Sequence, residues 1–234
     1  MRFAGRTIVI TGASGNLGRV VAREFAAAGA NLILAGADPE RLKAAFASQA
    51  GKYRLVPADL LDRAQAQRMA EAAREAFGRI DVLCNIAGGF KMGEAVHETS
   101  DETWRLMFDL NVRTLLNAVR AVVPLMIEAG GGKIVNVGAF AAREGAARMG
   151  AYIAAKSAVN RLTESMSAEL RASGINVNCV LPTTLDTPDN RRAMPDADPA
   201  KWVAPEDVAK TMMFLASDDG RALHGAAVPV KARK

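Results

Sequence analysis

Cysteine and histidine are scarce in this 234-residue chain, with two of each. Cys84 and Cys179 can build neither a disulfide framework nor a zinc cluster. Each lies in an apolar run (82–84 and 179–181), the setting of a buried thiol. His97 and His224 stand at unrelated places, so no metal site is expected. No apolar stretch approaches the ~20 residues of a membrane span. No signal-peptide pattern precedes the first apolar run either. The expectation is a cytoplasmic protein without a membrane partner. A strong excess of one charge is also missing. Thirty Lys and Arg against 25 Asp and Glu leave +5, spread out apart from Lys231, Arg233 and Lys234. With no basic stripe, no nucleic-acid partner is expected. Repeats, low-complexity tracts and linkers are lacking too, which points to a single domain over 1–234.

What remains is the composition of a globular protein, half hydrophobic and 24% charged, which excludes disorder, collagen and coiled coil. Short β-branched runs alternate with longer Ala-rich helical patterns. Strands are expected at 7–10, 31–35, 54–57, 81–85, 133–137 and 176–181. Helices are expected at 17–28, from Pro39 onward, and at 62–77, 101–129 and 151–172. Strands of four to six residues separated by helices of twelve or more imply right-handed crossovers and a buried parallel sheet. The expected fold is therefore α/β, a doubly wound Rossmann arrangement. Residues 183–202, rich in Pro, Asp and Asn, break the rhythm and read as a long loop. Following a strand's carboxyl end, that loop is expected to be a substrate lid.

The first strand runs into TGASGNLG (11–18) and then a helix. Gly12, Gly15 and Gly18 permit a tight turn that lets backbone N–H groups meet a pyrophosphate at the helix N-terminus. Ser14, Asn16 and Leu17 share that turn. Strand before and helix after is the context a dinucleotide fingerprint requires. Asp38 follows Gly18 by twenty residues. It can accept hydrogen bonds from an adenosine ribose and repel a 2′-phosphate; it is also a good N-cap for a helix opened by Pro39. No Arg or Lys lies between Ala30 and Asp38, so NAD is favoured, with NADP as the alternative.

Tyr152 and Lys156 are four apart in a helical stretch and project from one face. An ammonium beside a phenol favours the phenolate, which would make Tyr152 a usable acid/base. Together with the glycine turn, Asp59-Leu60, NIAG (85–88), Asn111 and YIAAK (152–156), the pair resembles the short-chain dehydrogenase/reductase family over nearly the whole chain. The resemblance implies that Tyr152 gives or takes a proton. Lys156 would hold the nicotinamide ribose, and Asn111 would carry a water-linked proton path. Asp59 and Leu60 would lie near the adenine, while Asn85, Ala87, Gly88 and Pro182 would line the cofactor. Thr187 would meet the carboxamide. Helices at 101–129 and 151–172 resemble those the family uses to form homodimers and homotetramers.

Two departures stand out. Asn16 occupies the place of the middle glycine in the family's turn, giving GxxGxxG. Ala139 stands thirteen residues before Tyr152, where the family carries a serine. Losing one donor to a developing oxyanion typically costs about two to three powers of ten. The runs 180–202 and 83–93, with GxxGxxG and no serine, are similar to the dihydropteridine reductase branch, whose conjugated substrate needs protonation but no oxyanion hole. Phe90 and Trp202 are expected to wall a flat substrate beside Ala139. The expected function is hydride transfer between nicotinamide and a small organic molecule. A carbonyl or 3-oxoacyl reductase with an impaired site, and a catalytically silent nucleotide-binding protein, are the alternatives.

Overall fold

The computed structural model describes residues 2–232; Arg233 and Lys234 of the basic tail lie outside them. Seven strands form one parallel sheet: β1 (Thr7–Thr11), β2 (Asn31–Gly36), β3 (Lys52–Pro57), β4 (Val82–Asn85), β5 (Gly132–Val137), β6 (Ile175–Pro182) and β7 (Ala227–Val230), in the order β3-β2-β1-β4-β5-β6-β7. The order reverses between β1 and β4, so the carboxyl ends of those two strands open a crevice where an open α/β sheet takes its ligand. β1 and β6 are buried along their whole length, as strands covered on both faces must be. β3, at an edge, is largely open to solvent.

The helices are α1 (Asn16–Ala27), α2 (Pro39–Ala45), α3 (Arg63–Phe77), α4 (Asp101–Phe108), α5 (Thr114–Glu128), α6 (Gly150–Leu170), α7 (Pro188–Ala193) and α8 (Pro205–Ala216). α1 and α8 bury Val21, Phe25, Val208 and Met212 on one face of the sheet. α3, α5 and α6 bury Met69, Val122, Met126 and Val159 on the other. Side chains start several of them: Asp38 caps α2 ahead of Pro39, Asp62 caps α3 and Ser100 caps α4. Cys84 and Cys179 are free thiols buried in the core.

Four features depart from expectation. The chain carries a seventh strand and α8, whose short, mixed sequences (AVPV for the strand) give little periodic signal. The run expected as one helix at 101–129 is α4 and α5 joined through a π turn at Asp109–Arg113, a local widening often found at functional sites. The whole of Asp101–Glu128 is long and apolar enough to cross a bilayer by composition, which the sequence was expected to lack. Here α5 packs on α3, and α4 on α6, as core helices do. The stretch 183–202 is not irregular throughout: it folds α7, a 3-10 turn at Pro199–Lys201, and a parallel bridge from Leu185 to Val203.

Candidate active site

A cleft of about 730 Å³ opens at the carboxyl ends of the strands. Its floor is the β1 turn. Gly12 has φ +63°, and a Cβ there would lie 2.8 Å from Ala87 Cα and N, so only glycine lets the two crossover turns touch. Thr11 fastens them, its Oγ1 accepting from Ile86 N at 3.1 Å and Ala87 N at 3.2 Å. Gly15 is the N-cap of α1, and no side chain caps that helix among the described residues. Its first N–H groups therefore face the cleft unsatisfied, beside Ser14, Asn16, Leu17 and Gly18 on the same wall. Side chains cap α2, α3, α4 and α7, whereas α5, α6 and α8, like α1, start without one. An uncapped helix start in a cleft suits a phosphate.

At one end of the cleft lie Asp38, Arg41, Ala58, Asp59, Leu60 and Leu61. Asp38 Oδ1 accepts from Arg41 N at 3.0 Å, so the residue caps α2 while bordering the cleft. Arg41, three residues after Asp38, borders the same end. Asn117 Nδ2 donates to Leu60 O at 2.8 Å and fixes that loop.

At the other end stand Ala87, Gly88, Phe90, Ala139, Tyr152, Lys156, Pro182, Thr183 and Thr187. Lys156 is buried and donates from Nζ to Val137 O at 2.8 Å. Burial pulls its pKa down to about 8. Tyr152 lies beneath Phe90, the rings edge to face with centroids 4.8 Å apart. Burial pushes the Tyr152 phenol up to about 12. That corrects the expectation of a phenol lowered by its lysine: within the protein, loss of water around the phenolate outweighs any help from Lys156. Phe90 itself is 58% exposed.

Other expected site residues take different positions. Asn85 does not line the cleft: buried at the end of β4, it donates through Nδ2 to Asn136 Oδ1 at 2.9 Å, and Asn136 donates on to Thr163 Oγ1. Pairing Asn85 with Asn136 across the β4–β5 ladder turns the amide into a strut under the site. Trp202 also lies off the cleft. Val203 is fully buried where it bridges Leu185, and alternation along an extended segment turns the neighbouring Trp202 away. Asn111 is buried at the π turn. Its Oδ1 accepts from Gly89 N at 3.2 Å, and its Nδ2 donates to Gly89 O at 3.0 Å and Met107 O at 2.9 Å. It fixes the loop carrying Gly88, at which a Cβ would lie 2.7 Å from Asn111 Oδ1 and 3.4 Å from Lys156 Nζ. Thr187 borders the cleft and caps α7, accepting from Asn190 N at 3.2 Å. Asn16 Nδ2 donates to Asp189 Oδ2 at 2.6 Å, tying the α7 segment to the glycine turn.

Thr11, Arg41, Thr183 and Asp189 were not singled out in the sequence. Their shared signal is position: each sits within a few residues of the carboxyl end of a strand, where such sheets keep their functional groups. A second cavity of about 600 Å³ lies at the opposite end of the sheet. Its charges pair among themselves, Arg79 with Asp81 at 2.8 Å and Arg6 with Asp81 and Asp218 at 3.5 and 3.6 Å.

The profile of the short chain dehydrogenase family matches residues 6–198. The chain is 33% identical to meso-2,3-butanediol dehydrogenase of Serratia marcescens, over 98% of this chain and 94% of that protein. A short-chain type dehydrogenase/reductase from Mycobacterium ulcerans superposes with a TM-score of 0.93 at 29% identity, covering 98% of this chain and 90% of that one. Carveol dehydrogenase from Mycobacterium avium, solved in complex with NAD, gives 0.88 at 28% identity, over 98% and 97%.

Proposed function

We propose a nicotinamide-dependent carbonyl–alcohol oxidoreductase, proceeding from the fact that the chain belongs to the short-chain dehydrogenase family. One observation carries this: Tyr152 and Lys156 border the same cleft as the uncapped start of α1. The residues fit a dinucleotide. Gly15 to Gly18 would hold the pyrophosphate through backbone N–H groups. Asp38 would hold the adenosine ribose, with Asp59 and Leu60 near the adenine and Pro182 and Thr187 near the nicotinamide. When bound, the cofactor supplies or accepts hydride.

The chain's own residues do the rest. Tyr152, protonated at neutral pH, gives a proton to the substrate oxygen in the reducing direction. Lys156, anchored on Val137 O, borders the same end of the cleft and would hold the nicotinamide ribose. Phe90 covers Tyr152 and keeps the proton from bulk solvent. Similar proteins support a carbonyl–alcohol pair: meso-2,3-butanediol dehydrogenase and galactitol 2-dehydrogenase among relatives, levodione reductase among solved structures. Asp38 supports NADH over NADPH. A homodimer or homotetramer built on α4, α5 and α6 is part of the same reading.

A second reading, reduction of a quinonoid dihydropterin, is favoured by Ala139, which offers no donor to a carbonyl. The test is steady-state turnover of cyclohexanone, butane-2,3-dione and quinonoid dihydropterin with NADH. Tyr152→Phe keeps the ring and its packing, so NADH affinity by nicotinamide fluorescence should hold while kcat falls by about two to four powers of ten. Full activity of Tyr152→Phe on every substrate turned over would remove Tyr152 from the chemistry. NADH binding with no turnover of any compound would favour a silent protein.

A further inference from the structure

A carbonyl oxygen that gains negative charge during reduction needs more than one hydrogen-bond donor, because a single proton donor leaves its second lone pair unmet. Tyr152 is one donor. Around it the cleft is poor in others. Ala139 has none. Thr114 spends its hydroxyl on Leu110 O at 2.7 Å, and Lys156 directs Nζ to Val137 O. Thr187 is held in place at the start of α7, its Oγ1 accepting from Asn190 N, and keeps its own O–H. Thr183 is different. It borders the cleft, and its Oγ1 is buried with no hydrogen-bond partner among the described residues. A buried hydroxyl left unpaired is costly and rare, and a ligand that satisfies it is favoured accordingly.

The sheet brings the backbone of Thr183 close to that of Ala139. β5 and β6 pair in register with Val137 opposite Val180, and Gly138 N donates to Val180 O at 2.9 Å. Carrying that register forward sets Ala139 opposite Pro182, one residue from Thr183. The backbone of Thr183 is fixed, its N–H donating to Val230 O at 3.0 Å. Only χ1 remains free, and rotation between staggered wells moves the oxygen without moving the chain.

We propose that Thr183 supplies the second hydrogen bond to the reacting substrate oxygen, from the strand next to the one where Ala139 lacks a hydroxyl. The inference deepens the carbonyl–alcohol reading and rests on it. In reduction, hydride adds to the carbonyl carbon and the oxygen takes its proton from Tyr152. Thr183 keeps its own proton throughout and only donates a hydrogen bond.

Thr183→Val is nearly isosteric and removes the donor alone. With cyclohexanone and butane-2,3-dione as probes, kcat/KM should fall by about tenfold to a hundredfold, within the range for losing one such donor. The NADH dissociation constant should stay within about twofold, and the thermal midpoint should confirm folding. Adding Ala139→Ser to Thr183→Val should restore most of the loss. Binding is read separately in Tyr152→Phe, where the ketone is not consumed. There Thr183→Val should weaken cyclohexanone binding to the NADH complex by about threefold or more. Unchanged kcat/KM in Thr183→Val, no rescue by Ala139→Ser, or a loss confined to NADH affinity would each overturn the assignment. If wild-type protein neither binds nor reduces either ketone, the carbonyl reading itself fails and Thr183 falls with it. If Tyr152→Phe loses activity but Thr183→Val does not, only Thr183 is refuted.

Discussion

Tyr152 and Lys156 are pushed in opposite directions by the same cause. Burial raises the phenol to about 12 and lowers the ammonium to about 8, because each neutral form is the one that tolerates loss of water. Tyr152 is therefore protonated across the usual working range, ready as an acid and short of phenolate as a base. Ketone reduction should be nearly flat with pH below 8. Alcohol oxidation needs the phenolate, so its rate should climb with pH, by up to about tenfold per unit for a single ionisation. Lys156, lowered to about 8, carries its charge mainly below that pH, so Lys156→Met should slow turnover most at pH 6 to 7 and least above pH 8.5. Initial rates in both directions from pH 6 to 9.5 check this. Oxidation as flat as reduction would detach the proton step from Tyr152.

At the scale of elements, α2 and α1 divide the work of the cofactor end through their first turns. α2 is capped by the Asp38 carboxylate on Arg41 N, while α1 is left uncapped at Gly15. Asp38 thus has two jobs that one substitution can separate. Asp38→Ser keeps a capping oxygen and removes the negative charge, leaving Arg41 at the same rim. NADPH affinity should then rise about tenfold or more relative to NADH, with the melting temperature nearly unchanged. Asp38→Ala removes cap and charge together and should also cost about 1 kcal/mol of stability. Fluorescence titration with both nucleotides and a thermal melt decide between them. A wild-type preference for NADPH of tenfold would contradict the role of Asp38.

The same elements show what a single sequence reveals. Thr7–Thr11, the glycine turn and the Tyr152–Lys156 pair were legible because strand, turn and helix signals are local and agree. Asp38 was read from its spacing after Gly18, and Gly88 from the resemblance carried by NIAG (85–88). Trp202 was misplaced because its direction depends on the Leu185–Val203 bridge, a contact between distant residues that no periodicity encodes. Asn85 was misassigned because its partner, Asn136, belongs to the neighbouring strand. The π turn around Asn111 hid inside an apolar helical pattern, and β7 is four residues without alternation. Thr183 was missed because an unpaired hydroxyl is a property of packing, visible only once its surroundings are in place.

Across the whole molecule, one surface remains to be accounted for. α4 and α5 bury their inner faces on α6 and α3, yet Trp104, Leu106 and Ile127 remain 41–46% exposed. Trp104 stacks on Phe108 with centroids 5.1 Å apart, which stiffens a large apolar plate on the outside of α4. A long helix whose composition would suit a bilayer, half sunk in its own core, leaves apolar area that a second protein surface can cover. A two-fold axis beside α4 and α5 would bring two such plates together in a self-complementary contact. Sedimentation at micromolar concentration should show a dimer or tetramer. Trp104→Glu puts a charge in the centre of the plate and touches no residue of the cleft. It should shift the protein toward monomer, with NADH affinity retained. A wild-type monomer at that concentration would refute the assembly.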